Sequence, residues 1–471
     1  MARATGGRRV AALAAAVGVL AAALALAPPA PPRPPLPPNV IVVLTDDQTL
    51  ASMTEAPVVM PWLHAQLADP AGGWLTFPDA VVSTPFCCPS RATILTGGYA
   101  WRTGVLDNST GFRLDETQTV ATWLHGAGYR TAMIGKYLNE YPWNRGPYVP
   151  PGWDRWLAKV NESEDTTYYD YPLVDQGRWR QAGSGPGDYV TDVLGRAALD
   201  FVRTAPTDQP YFLYFAPPAP HRPAIPAPMD VGELAGAPPA PPSDAIINDV
   251  TGKPGWVRAL QPVDAARLAA LQHKRVEARA SLLAVDRYLR QLFDVLSWRG
   301  DLDRTVVVFL SDNGYEFGEH RWTGKQTPYE PSIRVPFAIR TPWTAGGTID
   351  VPVSNADVAP TIAALAGITP PIPVDGESLA SLLRGAPPTG AQAARAIPLG
   401  WPGTTGPPPW VAVRTAGAIL IRWEDGTQEL YDLVADPGEL RNLAGDASHA
   451  ALLTKFAAWL PPPLTAGSGE G

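Results

Sequence analysis

Cysteine is the scarcest residue in this chain: only Cys87 and Cys88 among 471 residues, and they are adjacent. Neighbouring Cα atoms lie about 3.8 Å apart across a trans peptide, below the separation a disulfide spans. No disulfide framework is therefore expected, and the pair calls for a chemical explanation. Charge is also sparse. Charged residues make up 17%, with 37 basic against 45 acidic and a net charge of −8. That excludes a general nucleic-acid binder, which presents a basic face to phosphates. Only six lysines are present, so a lysine inside a motif carries weight. Glycine (43) and proline (54) show no Gly-X-Y period, which means turns rather than a collagen-like chain. There is no internal repeat. What is present is a 45% apolar content, enough for a sizeable core and incompatible with a wholly disordered chain. The length fits one large domain plus a smaller one.

Residues 1–27 read as a signal peptide or an uncleaved membrane anchor. Arg3, Arg8 and Arg9 precede an uncharged Ala- and Leu-rich run over 10–27, and Ala23-Leu24-Ala25 fits a small-x-small cleavage rule. Residues 28–38 are a proline-rich spacer. Beyond it, apolar β-rich runs at 39–44, 129–134, 211–215 and 305–310 alternate with helical periodicity at 189–203 and 265–298. Continuous apolar strands separated by helices predict an α/β fold: a large, mostly parallel (mixed) sheet flanked by helices, over 39–385. Residues 216–243 are Pro-rich and aperiodic, a long loop. From 386 onward the pattern becomes alternating, at 410–414, 418–423 and 429–433, with Asp425-Gly426 as a hairpin turn. This predicts a C-terminal subdomain on an antiparallel sheet, closed by a helix at 450–460.

In open α/β sheets, ligands bind beyond the carboxyl ends of the strands. There the sequence places Asp46 and Asp47 after the first run, and Lys136 after the second. His221 follows the third, and Asp312, Asn313 and then Lys325 follow the fourth. Three carboxylates and an amide are hard oxygen donors that suit Ca²⁺ or Mg²⁺ better than zinc. Asp46-Asp47-Gln48 or Asp312-Asn313-Gly314 alone reads more readily as an ordinary strand-to-loop turn; together, on two buried strands, they favour a metal. The run Cys87-Cys88-Pro89-Ser90-Arg91 has Pro89 positioned for a first helical turn, which brings Cys87 to a helix N-terminus. A thiolate nucleophile and two inert buried cysteines are both open readings.

This run, followed by Leu95-Thr96-Gly97, resembles the activation motif of type I sulfatases in the alkaline phosphatase superfamily. The resemblance extends over 39–443. It takes in Asn39-Val40-Ile41, Gly135-Lys136, Pro220-His221, Ser311-Asp312-Asn313-Gly314, Asp357-Val358-Ala359-Pro360-Thr361, Leu430-Tyr431-Asp432-Leu433, Asp436-Pro437 and Asn442-Leu443. It implies that Cys87, not Cys88, is oxidised after synthesis to formylglycine (3-oxoalanine) by a formylglycine-generating enzyme. Asp46, Asp47, Asp312 and Asn313, beside residue 87, would hold a divalent cation, usually Ca²⁺. One hydroxyl of the hydrated aldehyde would attack sulfur; loss of a proton from the other would re-form the aldehyde and expel sulfate. Arg91 would hold the hydrate, Lys136 and Lys325 the sulfate oxygens, and His221 would protonate the leaving oxygen.

Leu138 stands where many sulfatases carry a histidine. With the Cys-Cys form of the motif and the tyrosines at 168–171, this resembles the N-acetylglucosamine-6-sulfatase branch. His320 is a candidate substrate ligand. The sequons at Asn108 and Asn161 are expected to go unused, since the composition looks bacterial. The expected function is hydrolysis of sulfate from a sulfated sugar, the 6-O-sulfate of N-acetylglucosamine or glucosamine in a glycan, by an exported enzyme. An arylsulfatase or broad sulfate/phosphate esterase, and a non-catalytic sulfated-glycan binder, are the alternatives.

Overall fold

The computed structural model describes residues 36–160, 167–236 and 238–464. The proposed leader, most of the proline spacer and the Asn161 sequon lie outside them. The described residues from Pro37 onward form one compact unit, and among the described residues no helix is long and apolar enough to cross a membrane.

The ten strands of the main sheet are, in chain order, β1 (Asn39–Thr45), β2 (Trp74–Thr76), β3 (Arg130–Lys136), β4 (Arg155–Lys159), β5 (Pro172–Asp175), β6 (Arg178–Gln181), β7 (Tyr211–Ala216), β8 (Thr305–Ser311), β9 (Phe337–Arg340) and β10 (Gly347–Thr348). They are arranged β10-β2-β9-β8-β1-β7-β3-β4-β5-β6. The central five, β8-β1-β7-β3-β4, are parallel, and antiparallel pairings begin at β9 and β5. The sheet is mixed with a parallel heart, as the sequence pattern predicted.

The surroundings of β1 explain why the middle of its sequence, Val40 to Leu44, is continuously apolar. Val40, Val42 and Leu44 face one core, packed with α1 (Cys87–Thr96) and a later helix, Val358–Leu365. Ile41 and Val43 face the other, under α2 (Val190–Arg203) and α3 (Ala265–Arg299). Both faces of the strand are covered, so its interior positions are apolar, and the two polar ends are buried with partners: Asn39 donates to Thr305 Oγ1 and Thr45 to Gln48 Oε1. Each buried Val, Ile or Leu contributes about 1.5–3 kcal/mol. On α2, Val190, Val193, Leu194, Phe201 and Val202 fall on one buried stripe at helical spacing. The 35-residue α3 begins where Asp264 accepts from the Arg267 N–H and stops at Gly300, in the left-handed region.

The C-terminal sheet has four antiparallel strands, β11 (Ile397–Trp401), β12 (Trp410–Arg414), β13 (Ala418–Trp423) and β14 (Gln428–Asp432). The sequence pattern missed β11. Alternation splits the sheet's two faces. Ile397, Leu399, Trp401, Trp410, Ile419, Ile421 and Tyr431 pack on Phe86, Tyr329 and Ile333 of the larger part. Val413, Leu420 and Leu430 pack under Phe456 of the final helix, Ala450–Ala457. The first face matters for chemistry, because Phe86 precedes Cys87.

Candidate active site

The parallel strands deliver their polar followers to one place. Asp46 and Asp47 leave β1, Asp312 and Asn313 leave the adjacent β8, and Lys136 ends β3. Side chains alternate along a strand, so two consecutive carboxylates would ordinarily diverge. Asp47 breaks the alternation with a left-handed backbone, φ 69°, a conformation Asp tolerates better than most residues. Its N–H donates to Asp312 Oδ1 at 3.2 Å. Two motif glycines have steric reasons. A Cβ on Gly135 would lie 2.0 Å from the Ala216 carbonyl oxygen, and one on Gly314 would lie 2.1 Å from that of Pro331.

Cys87 is the first residue of α1, preceded by an extended Phe86. The next N–H, that of Cys88, donates to Asn108 Oδ1 at 3.0 Å, so this sequon asparagine already serves the helix start. Cys87 Sγ lies 3.5 Å from Asp46 Oδ1 and accepts from Lys325 Nζ at 2.9 Å. The same ammonium is bonded to Asp47 Oδ1. Lys136 Nζ donates to Asp46 Oδ2 at 2.6 Å. One helical turn beyond Cys87, Arg91 donates from Nε to Asp312 Oδ2 at 2.8 Å and from Nη1 to the Lys136 carbonyl at 2.7 Å. His221 Nε2 is 3.7 Å from Asp47 Oδ2, and its Nδ1 faces the Arg222 carbonyl at 2.9 Å. Tyr168 donates its hydroxyl to the His221 carbonyl at 2.8 Å, anchoring that loop. Asp46, Asp47, Cys87, Arg91, Lys136, His221, Asp312 and Lys325 are all buried.

Cys88 points elsewhere. It accepts from the Asn139 N–H at 3.0 Å and sits in the apolar core with Leu138. His320 takes no part in the contacts around Cys87; its ring lies 4.4 Å from that of Tyr329, and its Nε2 is 4.0 Å from Glu439 Oε2.

Burial pushes the Cys87 thiol up to about 11, and Lys136 and Lys325 pull it down too weakly to offset this. Burial thus disfavours the thiolate form of the encoded side chain. Burial also holds His221 down to about 4 against the opposing pull of Asp47 and Asp46, leaving a neutral ring. Burial and then Asp46 lift Asp312 to about 6. For Asp46 itself burial acts upward, but Lys136, His221, Arg91 and Lys325 outweigh it and hold the carboxyl well below its usual value.

The donor set fits a hard divalent cation. Asp46, Asp47, Cys87 and His221 each offer a ligand atom within 4.8 Å of the others. Asn313, whose amide nitrogen donates to Asp47 Oδ1 at 2.6 Å, keeps its buried Oδ1 without a hydrogen-bond partner. An orphaned buried amide oxygen beside three carboxylates suits an oxygen-preferring ion. A cavity of about 380 Å³ opens over Asp47, lined by Pro220, Arg222, Lys274, Tyr315 and Phe317 among others. The sequence reading did not flag Lys274, Tyr315 or Phe317, because an isolated lysine or aromatic carries no spacing signal. Arg222, next to His221, was equally within reach of that reading and went unnoticed.

Parallel strands that end in a buried polar cluster, facing a cysteine at a helix start, form an enzyme-like site. The sulfatase family model matches residues 38–368, and the model for the C-terminal part of N-sulphoglucosamine sulphohydrolase matches 318–461. The chain belongs to the sulfatase family. It is 33% identical over 368 residues to the extracellular sulfatase SULF-1 homolog of Drosophila melanogaster, covering 73% of this chain and 31% of that protein. It is 34% identical over 368 residues to human N-acetylglucosamine-6-sulfatase, covering 74% of this chain and 64% of that one. The chain thus spans less than two thirds of the length of either relative. The solved structure of BT4656 in complex with its substrate D-glucosamine-2-N,6-O-disulfate superposes with a TM-score of 0.79 at 26% identity, covering 90% of this chain and 96% of the other.

Proposed function

We propose that this chain is an exported sulfuric ester hydrolase that removes sulfate from a sulfated sugar, the 6-O-sulfate of N-acetylglucosamine or glucosamine in a glycan. The catalytic part would span 39–385 and the C-terminal subdomain 386–471. The observation that carries the reading is the placement of Cys87. Its sulfur meets Lys325 at 2.9 Å and Asp46 at 3.5 Å, while its neighbour Cys88 is turned into the apolar core. Only one of the two cysteines stands where an oxidised side chain would meet an oxyanion.

Maturation by a formylglycine-generating enzyme would supply at position 87 a hydrated aldehyde, with one hydroxyl to attack sulfur and a second whose deprotonation releases sulfate. Asp46, Asp47, Asp312 and Asn313 would hold the divalent cation, Ca²⁺ or Mg²⁺, which supplies charge neutralisation and makes a nearby hydroxyl more acidic. The chain's own residues do the rest. Asp312 and the Lys136 carbonyl fix the Arg91 guanidinium beside position 87, and its buried Nη2 has no hydrogen-bond partner of its own. Lys136 and Lys325 present ammonium groups to the sulfate oxygens and stabilise the charge that develops on them. With Nδ1 turned to the Arg222 carbonyl, His221 keeps Nε2 facing the cluster to carry the proton that the leaving alcohol takes. An arriving sulfate ester brings negative charge beside the ring and raises its proton affinity, so protonation of His221 is coupled to binding.

The cavity over Asp47 supports the sugar substrate. Tyr315 and Phe317, with ring centroids 4.8 Å apart, offer apolar surface to a pyranose, and Lys274 and Arg222 place positive charge at the wall. The test is hydrolysis of p-nitrophenyl sulfate, p-nitrophenyl phosphate and the 6-O-sulfates of glucosamine and N-acetylglucosamine. The protein is co-expressed with a formylglycine-generating enzyme, with Cys87→Ala as control. The 6-O-sulfated sugars should be cleaved with the highest kcat/KM. Faster cleavage of the phosphate ester would favour a broad esterase. Binding of sulfated glycan without turnover, with the aldehyde confirmed by peptide mass, would favour the non-catalytic reading.

A further inference from the structure

We infer that the C-terminal sheet is a positioning element of the active site: Trp410 on β12, acting through the Gln326 peptide, sets the Lys325 ammonium opposite residue 87. The inference rests on the reading of Lys325 as a sulfate-binding group.

Lys325 lies in a connecting segment, with a four-carbon side chain that adopts many rotamers. Its ammonium bonds Asp47 Oδ1 and Cys87 Sγ, but nothing within such a segment fixes the backbone from which it reaches. The segment is instead fixed from outside, at the residue that follows. Gln326 has a left-handed backbone, φ 78°, which costs a residue with a Cβ roughly 1 kcal/mol or more and persists only where its surroundings impose it. Those surroundings are three separate pieces of chain, each tied to a different polar group. The Gln326 N–H donates to the Pro85 carbonyl at 3.1 Å, two residues before Cys87. Its carbonyl accepts from the Trp410 indole Nε1 at 2.7 Å. Its side-chain amide donates to Thr405 Oγ1 at 2.9 Å. One residue back, the Lys325 carbonyl accepts from the Trp322 indole at 3.1 Å.

The bond to Pro85 joins the lysine segment to the segment that leads into α1. The bond from Trp410 locks the same peptide to the C-terminal sheet. Trp410 is itself immobile: it is 2% exposed, sits in the second strand of the sheet and pairs across its neighbours with Trp401 and Trp423. Trp401 in turn packs edge-on against Phe86 at 5.2 Å. Both sides of the gap between Lys325 and residue 87 therefore bear on one rigid wall. Displacing a catalytic group by about 1 Å costs on the order of 100-fold in rate, and the indole bond is the restraint that the C-terminal sheet places on the carbonyl of the strained Gln326.

The experiment is a double-mutant cycle on the matured full chain with p-nitrophenyl sulfate, comparing wild type, Trp410→Phe, Lys325→Ala and the double variant. Trp410→Phe keeps an aromatic ring and deletes the N–H. It should lower kcat by about 10- to 100-fold, the range expected for a misplaced charge, with KM changed by less. In the Lys325→Ala background the same substitution should cost less than about twofold, because no ammonium remains to be positioned. Equal losses in both backgrounds would mean that Trp410 serves only the fold and would overturn the inference, as would an unchanged kcat in Trp410→Phe. If Trp410→Phe does not fold, Thr405→Ala, at an exposed residue, is read by the same cycle. Lys325→Ala with wild-type activity would refute the role given to Lys325, and turnover by Cys87→Ala the proposed function; either result is distinct from failure of the clamp.

Discussion

Replacing Cys87 and Cys88 separately by alanine divides chemistry from packing, and the two outcomes are predictable from their contacts. Cys87 Sγ touches Lys325 Nζ and Asp46 Oδ1, but each partner has another counter-charge: Lys325 has Asp47 and Asp46 has Lys136. Losing the sulfur thus leaves no buried ion alone, and the stability cost should be confined to the vacated sulfur volume, about 1 kcal/mol. Activity should collapse, because the side chain that is converted to the nucleophile is gone. Nucleophile deletions in hydrolases cost on the order of 10⁴–10⁶ in kcat.

Cys88→Ala is the reverse case. The Asn139 N–H loses the acceptor it meets at 3.0 Å inside the apolar core. An orphaned buried donor costs about 1–3 kcal/mol, and the vacated sulfur volume adds about 1 kcal/mol. The variant should melt several degrees lower yet turn over at close to the wild-type rate. Cys88→Ser, which restores an acceptor, should recover much of the stability. Thermal melts, kcat on p-nitrophenyl sulfate and peptide mass at position 87 read all three variants. An active Cys87→Ala beside a dead but folded Cys88→Ala would refute the assignment of the modified residue.

Three further outcomes are expected. His221, held down to about 4 by burial in the free protein, serves as an acid only when protonated, so kcat/KM should fall as pH rises above that value. The bound sulfate's charge raises the ring's proton affinity, so the descending limb of kcat should lie at higher pH than that of kcat/KM. A His221→Gln variant that retains the limb would sink this assignment. Chelation should abolish activity and lower the melting temperature, and Ca²⁺ or Mg²⁺ at 100 times its Kd should restore about 2.7 kcal/mol; a melt indifferent to both would refute the metal site. Gly135→Ala drives a Cβ to 2.0 Å from the Ala216 carbonyl oxygen, which should cost several kcal/mol and displace Lys136. Wild-type melting and kcat would show that the strand yields without cost.

Much of the fold was legible because both faces of the central strands are covered. β1, β7 and β8 are apolar at nearly every position, so their runs stand out and the polar residues that end them mark the site. β11 was not legible: Ile397-Pro398-Leu399-Gly400-Trp401 contains a proline and a glycine and lacks a recognisable period. The site's charged members were legible as motif residues, whereas its supports were not. Trp410 and Thr405 reach Gln326 from about 80 residues away, at separations of 84 and 79, and neither spacing nor composition encodes such a contact. His320 is the converse case: a histidine beside motif residues is conspicuous in sequence, and its ring packs on Tyr329, away from Cys87.

The electrostatics of the cluster explain why these supports are needed. Asp46, Asp47 and Asp312 are buried together with Arg91, Lys136 and Lys325, six ionised groups in a space from which water is excluded. Burial of such a set gains little stability, because desolvation consumes most of the Coulombic attraction, and a well-packed apolar set would serve the fold at least as well. Its retention is understandable only through chemistry. Each cation already bears on a carboxylate, Arg91 on Asp312, Lys136 on Asp46 and Lys325 on Asp47. What is left of that charge is aimed by further contacts: the guanidinium also bonds the Lys136 carbonyl, and Lys325, reaching from the peptide tied to Trp410, also meets Cys87 Sγ at 2.9 Å. The same restraint predicts that substitutions in the scaffold, at Trp410 or Gly135, will act on rate through the placement of charge, without altering any group that touches sulfate.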